Sequence, residues 1–397
     1  MAELSRRRLL GAGAVAAGGA ALGWGAGAVT GRAAATAAPG TVDFHGAHQA
    51  GIATAPQAHT TFVAFDLRPG TDRAALVRLM RVWTDDAARL TSGRAVLADT
   101  EPELATAPAR LTVTVGFGPG LLRAAGLEGS APAWLKPLPP FAIDRLEERW
   151  SDGDLLLQVG ADDPVALAHA LRVLLKGARA TATVRWTQRG FRRARGTEPE
   201  GTTMRNLMGQ VDGTVNPAAG SADFDALVWC EGAEQPWLAG GTSMVIRRIR
   251  MDLDAWDELD LPGREIVMGR RLSDGAPLTG TAEHDEPDFA AAGPGGLTVI
   301  SEFSHIARSR SADPRQRFHR RAYNYDEAPS GAEISDSGLI FVAYQADVEA
   351  QFTPVQQRLS DSDMFNRWTI PIGSAVFAIP PGCREGEYLG QALLSLR

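Results

Sequence analysis

Two cysteines in 397 residues, Cys230 and Cys383, are too few to hold zinc or an iron–sulfur cluster through thiolates. One disulfide between them is the most they allow, in an oxidising compartment. The seven histidines form no HExxH, no His-x-His pair and no Cys/His cluster, so a zinc hydrolase has no support. His169 falls inside an amphipathic helical pattern and reads as a surface or core-edge residue, and His284, in the acidic "TAEHDEPDF", as solvated. The glycine-rich dinucleotide fingerprint, the P-loop and the serine-hydrolase elbow are all missing. Positive charge is short as well: formal net charge is −7, which argues against nucleic acid as a partner.

A long apolar run is missing everywhere except at the start. Arg6-Arg7-Arg8 and two leucines precede an uncharged, Gly/Ala-rich stretch from Gly11 to Gly31, followed by "RAAATAAPG". A basic segment, an apolar middle and Ala-x-Ala cleavage options make residues 1–38 an export signal of the twin-arginine type, with the Tat machinery as its partner. The stretch is too weakly hydrophobic for stable membrane insertion. Cleavage removes four arginines and one glutamate, leaving a mature chain near −10. The expected location is therefore outside the cytoplasm, secreted or in the cell envelope.

What is present is a repeat. "TTFVAFDL" (60–67) reads as a strand, and Leu76, Leu79, Met80 and Trp83 then share one helix face. "DLLLQVGADDPVALAHALRVLL" (154–175) reads as strand, acidic cap and helix. "SMVIRRIRMDLDAWDEL" (243–259) and "GLIFVAYQADVEAQFTPVQQRL" (338–359) repeat both patterns. Val63 and Val245 lie 182 positions apart, and Asp163 and Asp347 lie 184 apart. Matching separations predict a duplicated α+β fold, each half a sheet with helices on one face. The polar "RGTEPEGTTMRN" marks the boundary, giving a first domain over 39–200 and a second over 201–397.

Two segments of the second half stand apart from scaffold. "MGQVDGTVNP" (208–217) presents Asp212 between glycines and has no counterpart in the first half. "SHIARSRSADPRQRFHRRAYNYDEAP" (304–329) places His305 ahead of arginines 308, 310, 315, 317, 320 and 321. In an acidic chain, that cluster suits a bound carboxylate or phosphate. Haem combines an iron that takes an axial histidine with two propionates that take arginines.

"MGQVDGTVNP" carries the GxxDG motif of the dye-decolourising peroxidases, and the chain resembles that family over residues 44–382. "FHGAHQAGIATAPQAH", "RNLMGQVDGTVNP", "SHIARS…FHRRAYNY", "GLIFVAYQADVEAQF" and "DMFNRWTIPIGSAVFAIPPG" follow in the family's order. The resemblance implies duplicated ferredoxin-like domains of the dimeric α+β barrel type, antiparallel sheets with helices on one face. It also implies haem b (iron protoporphyrin IX) in the second domain. By that resemblance Asp212 is the distal acid and His305 the proximal iron ligand. Arg320 is the distal arginine, with Arg321 the adjacent alternative, and Asp363 accepts the His305 N–H, with Asp361 as alternative. Gly213, Thr214 and Asn216 join the cofactor-binding set.

The implied activity is reduction of hydrogen peroxide with oxidation of a dye, a phenol or another bulky reductant. It runs by Asp/Arg-assisted heterolytic O–O cleavage and a ferryl intermediate, and favours acidic pH because an ordinary aspartate titrates near 4. Tyr323, Tyr325, Tyr344, Trp368 and Tyr388 are candidates for passing electrons from the surface. The alternative within the same resemblance is an exported haem- or iron-handling protein of the deferrochelatase kind. Homo-oligomer formation is left open.

Overall fold

Residues 40–329 and 334–396 are described in the computed structural model. The export signal expected over 1–38 lies outside them. Among the described residues nine strands run in chain order: β1 His59–Leu67, β2 Thr112–Phe117, β3 Leu155–Ala161, β4 Ala182–Phe191, β5 Thr242–Met251, β6 His319–Arg320, β7 Tyr323–Glu327, β8 Asp336–Gln345 and β9 Thr369–Ile379. In the first half the antiparallel order is β2-β3-β1-β4. In the second it is β9-β5-β8-β7, with β6 continuing the β7 edge along β8. Both are the same ferredoxin-like order, so the duplication expected from the spacing is present.

The two sheets also join edge to edge. Phe117 of β2 pairs with Ala378 of β9, and Phe191 of β4 pairs with Asn324 of β7. With β5 paired to β8, the eight longer strands close into a ring. Side chains alternate along each strand, so every strand serves two environments. Phe62, Ala64, Leu156, Met244, Ile246, Ile340, Val342 and Phe377 fill the ring from both halves. Val63, Phe65, Leu155, Leu157 and Val159 point outward in the first half. There the helices Arg73–Thr91 and Pro164–Ala178 cover them, and Trp83 Nε1 donates to Leu174 O at 2.8 Å across the pair. Asp72 and Asp163 cap these helices through N–H groups their ends leave free.

In the second half the equivalent cover is broken up. The first helix becomes two short ones, Leu253–Asp257 and Leu261–Met268, followed by a long excursion to Ser304. The second becomes a π-helical turn, Val348–Phe352, running into Thr353–Ser362. The outward residues of β5 and β8 (Arg247, Ile249, Met251, Leu339 and Phe341) therefore face a cavity rather than a helix pair. Among the described residues no helix is long and apolar enough to cross a membrane.

His169, expected at a surface or core edge, is buried because its Nε2 meets Asp99 Oδ2 at 2.9 Å. His284 is exposed, as read. Both cysteines are free thiols: Cys230 Sγ donates to Ala346 O, and burial pushes Cys383 up to about 11.

Candidate active site

The cavity of about 650 Å³ lies between the outer face of the second sheet and the segments 206–216, 305–320 and 352–371. Its walls include Ile249, Met251, Leu339, Phe341, Phe352 and Val355, and its polar groups gather at two places.

The first is the Asp212 loop. Asn206 folds it: its Oδ1 accepts from the backbone N–H of Met208 and Gln210, and its Nδ2 donates to Gln210 Oε1. Arg205 bridges to Val211, and the Asp212 N–H donates to Met204 O at 2.8 Å, so the acid leaves a closed turn at a set angle. Gly213 has φ 134°, a conformation that side chains resist. Asn216 then grips the Arg320 backbone from both sides, accepting from its N–H at 2.9 Å and donating to its carbonyl at 2.7 Å. That clamp brings Arg320 Nη1 to 2.9 Å from Asp212 Oδ1. Thr214 lines the cavity, but its hydroxyl donates to Glu283 Oε1 at 2.9 Å.

The second place is His305, first residue of the short helix His305–Ser309. Its Nδ1 lies 2.6 Å from Asp363 Oδ2, while Asp363 Oδ1 accepts from the Phe365 N–H at 2.9 Å. Asp363 is buried, and Asp361 sits outside, accepting from Gln357. Gly269 permits the approach: at φ 75°, a Cβ there would stand 2.3 Å from Ile306 Cγ2. With Nδ1 committed to a carboxylate, Nε2 is the ring nitrogen left for a metal, and the carboxylate makes it a better donor. Among the described residues no group of three or more His, Cys, Asp or Glu side chains could hold a bare ion. One free imidazole nitrogen beside an apolar slot fits a metal that brings its own macrocycle.

The arginine cluster does not act as one patch. Arg310 pairs with Glu286, Arg315 with Asp313 and Arg317 with Asp223, while Arg321 turns into the ring. Arg310, Arg317 and Arg320 line the cavity. Arg247 and Arg270 line it too and were not anticipated. Burial pulls both guanidiniums down, against the opposing charges of Asp144 and Glu283 respectively. The signal for Arg247 was available: it interrupts the apolar face of β5 at the place where β1 carries Phe65.

All five relay candidates are buried, with only Trp368 and Tyr388 keeping a sliver of exposure. Tyr323, Tyr325 and Tyr344 point into the ring, Tyr388 packs under Arg81, and Trp368 packs edge-on against Trp256 at 5.3 Å. Trp256 meets Phe365 at 5.7 Å, and Phe365 meets His305 at 5.3 Å.

The Dyp-type peroxidase N-terminal family model matches residues 49–192, and the C-terminal model matches 203–384. A dye-decolorizing peroxidase of Thermobifida fusca is 41% identical over 380 residues, 91% of this chain and 85% of that protein. A deferrochelatase of Yersinia pestis is 34% identical over 369 residues, 88% of this chain and 84% of that protein. The crystal structure of a DyP-type peroxidase from Cellulomonas bogoriensis superposes with a TM-score of 0.88 at 59% identity, covering 91% of this chain and all (100%) of that one. The chain belongs to the Dyp-type peroxidase family and is a peroxidase.

Proposed function

We propose that the protein binds haem b in this cavity and reduces hydrogen peroxide there at the expense of a dye, a phenol or a similarly bulky reductant. The observation that carries the reading is that two side-chain pairs, Asp212–Arg320 and His305–Asp363, face one apolar cavity from separate segments. When bound, haem supplies a redox iron at which the peroxide O–O bond is cleaved. His305 Nε2 would hold that iron, and Asp363 keeps the imidazole in the tautomer that leaves Nε2 free. Asp212 takes the proton of one peroxide oxygen and returns it to the other, which is general acid–base work. Arg320 holds Asp212 Oδ1, so Oδ2 carries the proton, while its guanidinium supplies fixed positive charge where negative charge develops. Apolar walls exclude water and strengthen both effects.

Replacing Asp212 with Asn, or Arg320 with Leu, is expected to leave haem content unchanged and lower kcat/KM for peroxide by about 10²–10⁴. Unchanged turnover in both variants would end the reading. The similarity to a deferrochelatase supports a second reading, in which the same cavity takes iron from haem. Release of metal-free porphyrin from haem by the purified protein distinguishes it. Export by the twin-arginine pathway is proposed on the signal segment, and is tested by locating the protein in cells with Arg6 and Arg7 replaced by Lys.

A further inference from the structure

Behind Arg320 lies positive charge that the Asp212 pair does not account for. Neighbouring strand residues face opposite ways, so Arg321 points into the ring, where it is 1% exposed. Its Nη1 donates to Thr54 O and its Nη2 to Gln57 Oε1 at 2.7 Å, while its Nε has no partner. Gln57 presents oxygen because its Nε2 is used on Arg110 O and Thr112 Oγ1, at 2.8 and 3.0 Å. Beside it Arg192 donates from Nε to Ala322 O at 2.8 Å and stands over the Tyr323 ring at 4.9 Å. Among the described residues neither guanidinium has a carboxylate oxygen within 4.0 Å.

Buried charge is ordinarily paired. Here neutral oxygens solvate two guanidiniums without cancelling their field; Asp212, paired to Arg320, also opposes the Arg192 charge at longer range. His319 reports the result. Its ring lies between Phe224, at 5.1 Å, and Tyr344, at 6.4 Å, and its Nδ1 is unpartnered. Burial, then Arg321, Arg192 and Arg320 pull it down to about 4, so it stays neutral and adds no charge of its own.

We propose that Arg321, supported by Arg192, is a positioning residue whose uncompensated charge makes the Asp212–Arg320 end of the cavity attractive to small anions, deprotonated peroxide included. The idea rests on the proposed function and names the charge state that the site selects. Arg321 acts at a distance, through a weakly screened interior, and its field is in place before any ligand arrives.

The test uses the full mature chain reconstituted with haemin, titrated with azide at the Soret band. Arg321→Met is expected to weaken azide on the order of tenfold, and Arg321→Lys to recover most of it. A second readout needs no haem: the His319 ring, followed by NMR, should titrate above about 4 in Arg321→Met and near the parent value in Arg321→Lys. The charged groups facing that ring are Arg320 and Arg321 from its own segment and Arg192, the residue after β4; burial is unchanged in the Lys variant, so a difference between Met and Lys reports the Arg321 charge. If Arg321→Met does not fold, Arg192→Met carries both measurements, with a smaller change of the same sign. Unchanged azide affinity and unchanged His319 titration would overturn the proposal. So would equal losses in Met and Lys, which mark a packing role. Failure of the parent chain to give a Soret band would sink the proposed function instead, leaving the His319 titration to judge the charge cluster.

Discussion

The two halves share a strand order and differ in what lies over their outer faces. In the first, two long helices seal the sheet with Leu76, Leu79, Met80, Trp83, Ala170 and Leu174. In the second, the same face keeps Leu339 and Phe341 but gains Arg247, and its covering helices are short or broken. A cavity opens where the second copy fails to repeat the first: His305 comes from the excursion after the broken first helix and Asp363 from the end of the second, while Asp212 sits on the loop before β5 and Arg320 on β6. One copy serves as a solid scaffold and the other gives up packing for a binding slot.

That contrast is broken most strongly by Trp83→Ala. Trp83 is buried in the sealed half and hydrogen-bonded across the helix pair, so its loss should cost about 3–5 kcal/mol in urea unfolding while haem uptake by folded protein is kept. Phe341→Ala, on the cavity wall, should cost clearly less and disturb the haem spectrum instead. Equal stability losses would mean that the second face is as tightly packed as the first.

A pH series sharpens the difference. His319 is held at about 4 against an unperturbed 6.5, so the unfolded chain takes up the proton first. Its contribution to stability is complete above about pH 6.5 and is lost as pH falls toward 4, by at most ~3 kcal/mol. Asp86, on a first-half helix, runs the other way: burial raises it to about 6, so the folded state holds the proton and gains as pH falls from about 6 toward 3.8. His319→Phe should therefore lose less stability than the parent between pH 7 and pH 5, measured by urea midpoints. An unchanged difference would show that His319 is not the sensor.

The smallest effects belong to the matched caps. Asp163 accepts from two backbone N–H groups and Asp347 from one. Alanine at either should cost about 1 kcal/mol, more at Asp163. The reverse order would count against the second cap being the weaker copy.

How much of this was legible depended on periodicity. Strand alternation and acidic caps recur at fixed separation, so the duplicated architecture could be read from Val63 with Val245 and Asp163 with Asp347. Ring closure could not, because the halves join through single pairs, Phe117 with Ala378 and Phe191 with Asn324. The excursion that supplies Arg270, Glu283 and Glu286 has no period to read. Adjacent Arg320 and Arg321 were ambiguous by spacing, and strand geometry separates them by sending their side chains to opposite faces. His169 looked like an edge residue because its partner, Asp99, comes from a loop seventy residues away.

The most direct test of the site in the second half is a haemin titration of residues 39–397 and of the same chain with His305→Ala, followed at the Soret band. The account predicts stoichiometric binding by the parent and loss of that binding, with the fold retained by circular dichroism, in the variant. A variant that binds haemin equally tightly with the same spectrum would show that His305 is not the ligand and that the cavity has been misread.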